Sequence, residues 1–417
     1  MSAPPAPRRV VTLPAGLFGA EALAFARLAA SRGAQLLELR TDLQPADFDP
    51  APLTAILPLL VSERTGPLPE QWRRLAILED RPIGHVRTSE GPTLLISEHF
   101  DRPLTTDEAL AAWEGLPARA HLKHVEPLGD PARFPELRKL QAQLVERHGE
   151  GRVTVLVMGA LALPFRAVLA EHNALDYLAL SPAQSSAPGQ RLLADATRAS
   201  RAPGGSARLG ILGTAITGSH SPRLHRPPFD RIDLPADAEV EAVVDALLPH
   251  YAGFSVTSPF KQRLARHLGA ERRAINTLYR KDGRYLTANT DVDGAEAILR
   301  RLGDGTVQVL GGGGAAAALE EAGGARVRIR RAAELTETVL EGPCVWTWPD
   351  GVAPPTGLRF APGTPVATIA YGAAGHRIAG TIRELGGRPL RLGLLWLLSQ
   401  ARRQRALFAE ADPQPSN

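Results

Sequence analysis

The sequence predicts an α/β protein of more than one domain, on three observations. Residues 8–200 alternate short apolar runs with helix-like runs. A Pro/Gly/Ser stretch, SRAPGGSAR at 200–208, then breaks the pattern. Beyond it a second alternation begins, and one of its strands enters GGGGAAAALEEAGG at 311–324, a glycine-rich turn into a helix. The expected organisation is a (β/α)8 (TIM) barrel over 8–200 and a linker over 201–207. An α/β substrate domain follows over 208–300, to which 388–410 returns, with a shortened Rossmann-like nucleotide domain over 301–387.

In the first half, strands are expected at 9–13, 35–39, 57–61, 83–87, 94–97, 120–123, 153–157 and 177–180. Helices are expected at 21–31, 106–113, 134–147 and 165–172. The gap after the third strand leaves room for one short helix, and that after the fourth for almost none. Barrel chemistry sits at the C-terminal strand ends. There the chain places Glu38-Leu39-Arg40-Thr41-Asp42, Ser62-Glu63-Arg64, Ser97-Glu98-His99, Lys123-His124 and Ser185-Ser186-Ala187-Pro188-Gly189-Gln190. A lysine and a histidine ringed by arginines fit carbonyl chemistry on a carboxylated substrate. Lysine can form an imine, histidine can move a proton, and arginine can clamp a carboxylate.

Composition adds weight to the lysines. Only Lys123, Lys139, Lys261 and Lys281 stand among 48 lysine and arginine residues. Arginine stays protonated, whereas lysine can lose its proton or become a Schiff base. Asparagine is equally scarce, at 173, 276, 289 and 417. Two of these fall in the stretch 253–294, which holds GFSVTSPFKQ and AINTLYRKDGRYLTANTDVDG. Lys261, Asn276, Asn289 and Asp291 thus arrive at neighbouring strand ends, a set suited to a small polyhydroxylated anion.

Hydrophobic residues at 44% and charged residues at 22% are ordinary for a soluble globular protein. No apolar run approaches the ~20 residues of a membrane span, and MSAPPAPRRV has no apolar signal core. The single cysteine, Cys344, excludes an internal disulfide and a cysteine metal cage, which points to a reducing cytoplasm. The histidines show no metal-ligand spacing. A net charge of +4, without basic runs interleaved with aromatics, suits small acidic substrates better than nucleic acid.

In the second half, GTAITGSHSPRLH carries Ser219 and Ser221 before Pro222. Two hydroxyls on a Pro-stopped turn make a carboxylate cradle or a helix N-cap, and both roles are compatible. Gly311, Gly313 and Ala316 give G-x-G-x-x-A between a strand and a helix, the setting for a dinucleotide. The next strand, 325–329, ends in Arg330-Arg331. Arginines where NAD enzymes place an acid favour a 2′-phosphate, hence NADP.

Set in order, ELRTD, SEH, LKH, MGALALPFR and SAPGQ resemble type I 3-dehydroquinate dehydratase over nearly all of 8–200. The resemblance implies that Lys123 forms a Schiff base with the substrate ketone and that His99 moves the protons. It implies substrate contacts from Glu38, Arg40, Arg64, Arg166, Ser186 and Gln190. The family's acid after the third-strand arginine falls at Leu68 here, with Glu70 the nearest acid. Over 207–408, GILGTAITGSHSP, GFSVTSPFK, AINTL, NTDVDG, VLGGGGAA, WPDG and GLLWLLSQARRQ resemble shikimate dehydrogenase. That resemblance implies a catalytic pair, Lys261 and Asp291. It implies shikimate contacts from Ser219, Ser221, Thr257, Asn276, Tyr371 and Gln400. It also implies NADP contacts from Gly311, Gly313, Gly314, Ala315, Arg330 and Arg331. Together the resemblances describe a fused bifunctional enzyme of the shikimate pathway. A protein with one working domain, or a non-catalytic binder of a shikimate-like ligand, fits the same motifs.

Overall fold

A computed structural model describes residues 6–85, 93–117, 119–187, 189–200, 207–225 and 228–412. The expected linker, 201–207, lies outside the described residues except for Ala207. The chain forms two compact units. The first comprises Met1–Pro222 with Arg226–Tyr251, and the second comprises Arg223–His225 with Ala252–Pro413. The division therefore falls inside the expected substrate domain, and each unit is described by itself.

The first unit opens with β1 (Arg8–Thr12), α1 (Gly19–Ser31), β2 (Leu36–Arg40), α2 (Ala51–Thr54), β3 (Leu59–Ser62) and α3 (Glu70–Leu75). It continues with β4 (Ala76–Pro82), β5 (Thr93–His99), α4 (Thr106–Ala112), β6 (His121–Pro127), α5 (Phe134–His148) and β7 (Val153–Met158). Then come α6 (Ala162–Leu169), β8 (Leu175–Ala179), β9 (Arg191–Leu192) and α7 (Leu193–Ala199). These strands form one parallel sheet in the order β7-β6-β5-β4-β3-β2-β1-β8-β9. Their apolar runs, such as LLVS in β3 and VTVLVM in β7, suit a sheet buried on both faces. Helix starts are marked by local chemistry: Thr105 and Glu108 form a reciprocal capping box at α4.

The edge strand β7 is tied to β8. Ala174 N donates to Val153 O (2.7 Å). The Asn173 side chain bonds both backbone groups of Val155, accepting from its N (2.8 Å) and donating to its O (2.9 Å). One side-chain amide thus does the work of a ladder pairing, which explains a buried asparagine at this point.

The fourth strand departs from expectation. It occupies Ala76–Pro82, not 83–87; Ile83–His85 is a 3-10 turn, and 86–87 lie outside the described residues. Its run AILEDRP carries three successive charged residues, which does not read as a buried strand. Glu79 and Asp80 are nevertheless fully buried, because each meets cations. Glu79 accepts from Arg73 Nε (3.1 Å) and pairs with Arg81. The other seven strands overlap their expected positions.

The first unit ends with β10 (Leu209–Gly213), α8 (Ser221–Leu224, most of it in this unit), β11 (Phe229–Asp233) and α9 (Val240–Leu247). β10 and β11 pair in parallel.

The second unit starts with β12 (Gly253–Val256), α10 (Lys261–His267), β13 (Thr277–Lys281), β14 (Arg284–Ala288) and α11 (Asp291–Leu302). β12, β13 and β14 pair antiparallel in succession. A nucleotide-type layer follows: β15 (Val307–Leu310), α12 (Gly314–Gly323), β16 (Val327–Arg330), β17 (Val339–Leu340), β18 (Cys344–Trp346) and β19 (Arg359–Phe360). It closes with β20 (Pro365–Thr368), α13 (Gly372–Glu384), β21 (Arg388–Arg391) and α14 (Gly393–Ala409). Its parallel sheet has five strands, β16-β15-β18-β20-β21, while β17 and β19 pair separately. No helix among the described residues is long and apolar enough to cross a membrane.

Two candidate functional sites

The first site is built by consecutive strands. β2 to β6 each contribute one buried polar residue: Glu38, Ser62, Asp80, Ser97 and Lys123. Lys123 Nζ donates to Asp80 Oδ2 at 2.8 Å and lies 4.6 Å from the centre of the Tyr177 ring. Arg64 Nη2 donates to the same Asp80 oxygen (3.1 Å). Glu38 accepts from Thr12 Oγ1 (2.6 Å) and Ser62 Oγ (2.7 Å). His99, exposed at the end of β5, accepts at Nε2 from Arg64 Nη1 (3.3 Å).

Glu38, Arg64, His99, Lys123 and Tyr177 line one pocket with Arg40, Arg166, Ser186 and Gln190, while Asp80 lies behind Lys123 and Arg64. Four of its lining residues are cationic (Arg40, Arg64, Lys123, Arg166) against one carboxylate, Glu38, so it favours an anion. Arg40 is braced by Asp42 through two bonds, at 3.0 and 2.6 Å. Arg166, buried on α6, donates from Nε to Val157 O (2.7 Å). Ser186 N donates to Gln190 Oε1 (2.8 Å), which fixes the turn carrying both.

The electrostatics follow from burial. Removing the Lys123 ammonium from water pushes its pKa down, and the Asp80 charge opposes this only in part. Burial pushes the Asp80 carboxyl up, but the Lys123 and Arg64 charges outweigh it and hold it below the usual range. His99 is pushed down to about 3, by loss of hydration first and then by the Lys123 and Arg64 charges. Its imidazole is therefore neutral at ordinary pH.

Every first-half residue expected at the site lines this one pocket. Asp80 is the residue that sequence reasoning missed, because the strand that carries it was expected seven residues later. Glu70 corrects the expectation of a nearby acid: it lies on α3 and pairs with Arg73 and Arg74. The available signal was the pair of acids, Glu79-Asp80, directly after the apolar run AIL.

The second site lies in the second unit. Lys261 opens α10 and Asp291 opens α11, and their side chains form an ion pair. Asn276 holds this pair. Its Nδ2 donates to Asp291 Oδ1 (3.1 Å) and Thr290 Oγ1 (3.0 Å), and its Oδ1 accepts from Thr290 N (2.8 Å). Gln404 Nε2 in turn donates to Asn276 O (2.9 Å) and Thr277 Oγ1 (3.0 Å). Gln404, one turn beyond Gln400 on α14, was also not foreseen. Gly294 lets the chain close here, since a Cβ there would lie 3.0 Å from Trp396 Cδ2. Thr257 lies between β12 and α10, partly buried, and Tyr371 precedes α13. Ser219 and Ser221 belong to the first unit, where Ser221 N donates to Ser219 Oγ (3.3 Å).

The glycine-rich turn joins β15 to α12. Gly311 has φ +136°, and a Cβ there would meet Thr347 Oγ1 at 2.2 Å, so no larger residue fits. Gly312 and Gly313 face open space. Gly314 starts α12 against the stem of Lys261, with 3.9 Å between its notional Cβ and Lys261 Cδ; Ala315 follows it. This open backbone at a helix start fits a dinucleotide pyrophosphate. Arg330 is already engaged, donating to Gln308 Oε1 (3.0 Å) and Glu334 O (3.3 Å). Arg331 is exposed and has no side-chain partner among the described residues. Arg331 is therefore the cation left for a 2′-phosphate.

No protein-family model matches the chain. Over part of its length it is homologous to shikimate dehydrogenases. It is 34% identical over 101 residues to the shikimate dehydrogenase (NADP(+)) of Chlorobium phaeovibrioides, covering 20% of this chain and 35% of that protein. It is 33% identical over 106 residues to that of Chlorobaculum tepidum, covering 22% and 36%. The matched segment thus spans 35% and 36% of the two relatives. Among solved structures it is similar to dehydroquinate dehydratase and shikimate dehydrogenase from S. pombe AroM (TM-score 0.37, 18% identity, 98% of this chain and 97% of that one). It is also similar to a shikimate dehydrogenase in complex with NADP+ (TM-score 0.40, 19% identity, 51% and 93%).

Proposed function

We propose that the chain is a bifunctional enzyme that dehydrates 3-dehydroquinate to 3-dehydroshikimate and reduces the product with NADPH to shikimate. The observation that carries the first activity is a buried lysine on an acid, Lys123 on Asp80, inside a pocket of positive charge. The parallel strands in chain order, with β8 beside β1, support reading this part as a (β/α)8 barrel. In the reaction, the Lys123 amine adds in its unprotonated form to the substrate ketone, and water leaves to form the imine. The Asp80 carboxylate balances the positive charge of the protonated imine nitrogen. Neutral His99 removes the proton next to the imine carbon and returns it to the departing hydroxyl. Water then hydrolyses the imine and frees Lys123. Arg166 and Arg40 bind the carboxylate, while Glu38, Arg64, Ser186 and Gln190 hold the hydroxyls.

The second activity is supported by the Lys261–Asp291 pair beside the glycine turn, and by homology to NADP(+) shikimate dehydrogenases. When bound, NADPH supplies the hydride. Lys261 donates the proton to the carbonyl oxygen, and Asp291, fixed by Asn276, holds the ammonium in place. Ser219, Ser221, Thr257, Asn276, Tyr371 and Gln400 bind the substrate. Gly311, Gly313, Gly314, Ala315, Arg330 and Arg331 bind the dinucleotide, with Arg331 on the 2′-phosphate. This reading makes the protein a cytoplasmic enzyme of small molecules, in keeping with its single cysteine.

One incubation with 3-dehydroquinate and NADPH, followed by mass spectrometry, tests both steps. Shikimate with NADPH consumed is the expected result. Dehydroshikimate alone would remove the second activity. Untouched dehydroquinate, with added dehydroshikimate also unreduced, would overturn the proposal.

A further inference from the structure

A second cavity of about 140 Å³ lies in the first unit, outside the strand-end pocket. Its apolar wall is made by Leu163 and Ala167 of α6, Pro182 and Leu192. Its polar wall comes from α7 and β11. Gln190 lines both this cavity and the strand-end pocket.

The charges decide what the cavity takes. Arg191 is spent on Asp176 (3.0 Å) and Asp230 (3.3 Å). Asp230 also meets Arg208 (3.5 Å) and accepts from Tyr251 OH (3.0 Å). Asp195 is clasped by Arg231 and by Arg198 (3.2 Å). Arg231 further donates to Ser219 O (3.2 Å). Asp233 differs: it accepts only from the backbone N of Ala215 (2.7 Å) and Ile216 (3.2 Å). Among the described residues no cation pairs with it. Each lining arginine is thus paired with a lining aspartate, and Asp233 is the one lining carboxylate with no cation partner among the described residues. Thr217 lines the cavity as well and has no hydrogen bond among the described residues.

We propose that this cavity binds a small organic ammonium ion, with the charged head on Asp233 and Thr217 and an apolar body against Leu163, Ala167 and Leu192. A cavity of about 150 Å³ lined by apolar side chains holds one benzene-sized ring, so a single six-membered ring fits. Both lining arginines pair with protein carboxylates, Arg231 Nε keeping no partner among the described residues, and beside Asp233 a carboxylate ligand would be repelled.

Calorimetric titration of the full chain with cyclohexylamine, cyclohexanol and cyclohexanecarboxylate at pH 7 tests this. Cyclohexylammonium is expected to bind more tightly than either of the others. Asp233→Asn, which keeps an acceptor for one backbone N–H, should weaken it about tenfold to a hundredfold, the loss of one charge-assisted bond. Ala167→Leu fills the cavity from the opposite wall and should abolish binding without touching any charge. Circular dichroism confirms that each variant is folded. Equal or tighter binding of the carboxylate, no saturable heat with the amine, or amine binding unchanged in Ala167→Leu would each overturn the proposal.

Discussion

Two lysines in this chain face an aspartate, and their surroundings make them chemically different. Lys123 rises from the middle of a strand, its side chain 3% exposed, into a pocket walled by the sheet. Lys261 stands at the first turn of a helix with its side chain 19% exposed. Desolvation favours the neutral amine at Lys123, which suits a nucleophile. Lys261 keeps solvent contact beside a glycine turn, which suits an ammonium that gives up a proton and recovers it from water. In the proposed reactions the same residue pair serves two chemistries, and depth of burial separates them.

Substitutions can break that contrast. The largest effect is expected from Lys123→Arg, which keeps the charge on Asp80 but removes the nucleophile. Dehydration should fall at least about 10³-fold and borohydride should no longer trap dehydroquinate on the Lys123 peptide, with reduction of added dehydroshikimate unchanged. Trapping that persists in this variant would refute the imine role. Lys261→Ala should lower kcat for reduction by about 10²- to 10⁴-fold and leave dehydration intact. A change confined to KM would reassign Lys261 to binding.

Asn276→Ala removes the support of Asp291. It leaves Thr290 N and Asp291 Oδ1 without their partner, so a stability loss of about 1–3 kcal/mol is expected in denaturant melts. A drop in reduction kcat accompanies it. Arg331→Ala should raise the NADPH KM about tenfold and leave NADH unaffected, since only the former carries the 2′-phosphate. Equal effects on both would place Arg331 elsewhere.

The smallest effect concerns pH. His121, His225 and His250 are each pushed down to about 4, by burial first and nearby arginines next, and His99 to about 3. In the unfolded chain they titrate near 6.5. The unfolded state thus binds more protons between these limits, so stability is present above pH ~6.5 and is lost as pH falls toward 4. Three of the four belong to the first unit, and only His225 to the second. Hydrogen exchange at pH 7 and pH 5 should show β1–β8 losing more protection than β15–β21.

Much of the site was legible because its residues sit at marked positions. Lys123, His99, Glu38 and Arg64 end apolar runs, and Gly311 and Gly313 punctuate a strand-to-helix turn. What escaped was polar and interior. β4 was misplaced because its charged run does not read as a buried strand, and burial of Asp80 depends on Lys123, which is distant in sequence. Asn173 gave no sign that its amide would tie β7 to β8, since that role exists only once the two strands are side by side.

The sequence alone determined the α/β alternation, the strand-end chemistry and the glycine turn, because periodicity and turn residues act over a few neighbours. Tertiary structure decided the rest. It paired Lys123 with Asp80, 43 residues away, and among the described residues it left Asp233 without a counter-ion. Whether a charge is paired, and how far its pKa moves, depends on groups brought together only by folding, through an interaction that falls off within a few ångströms.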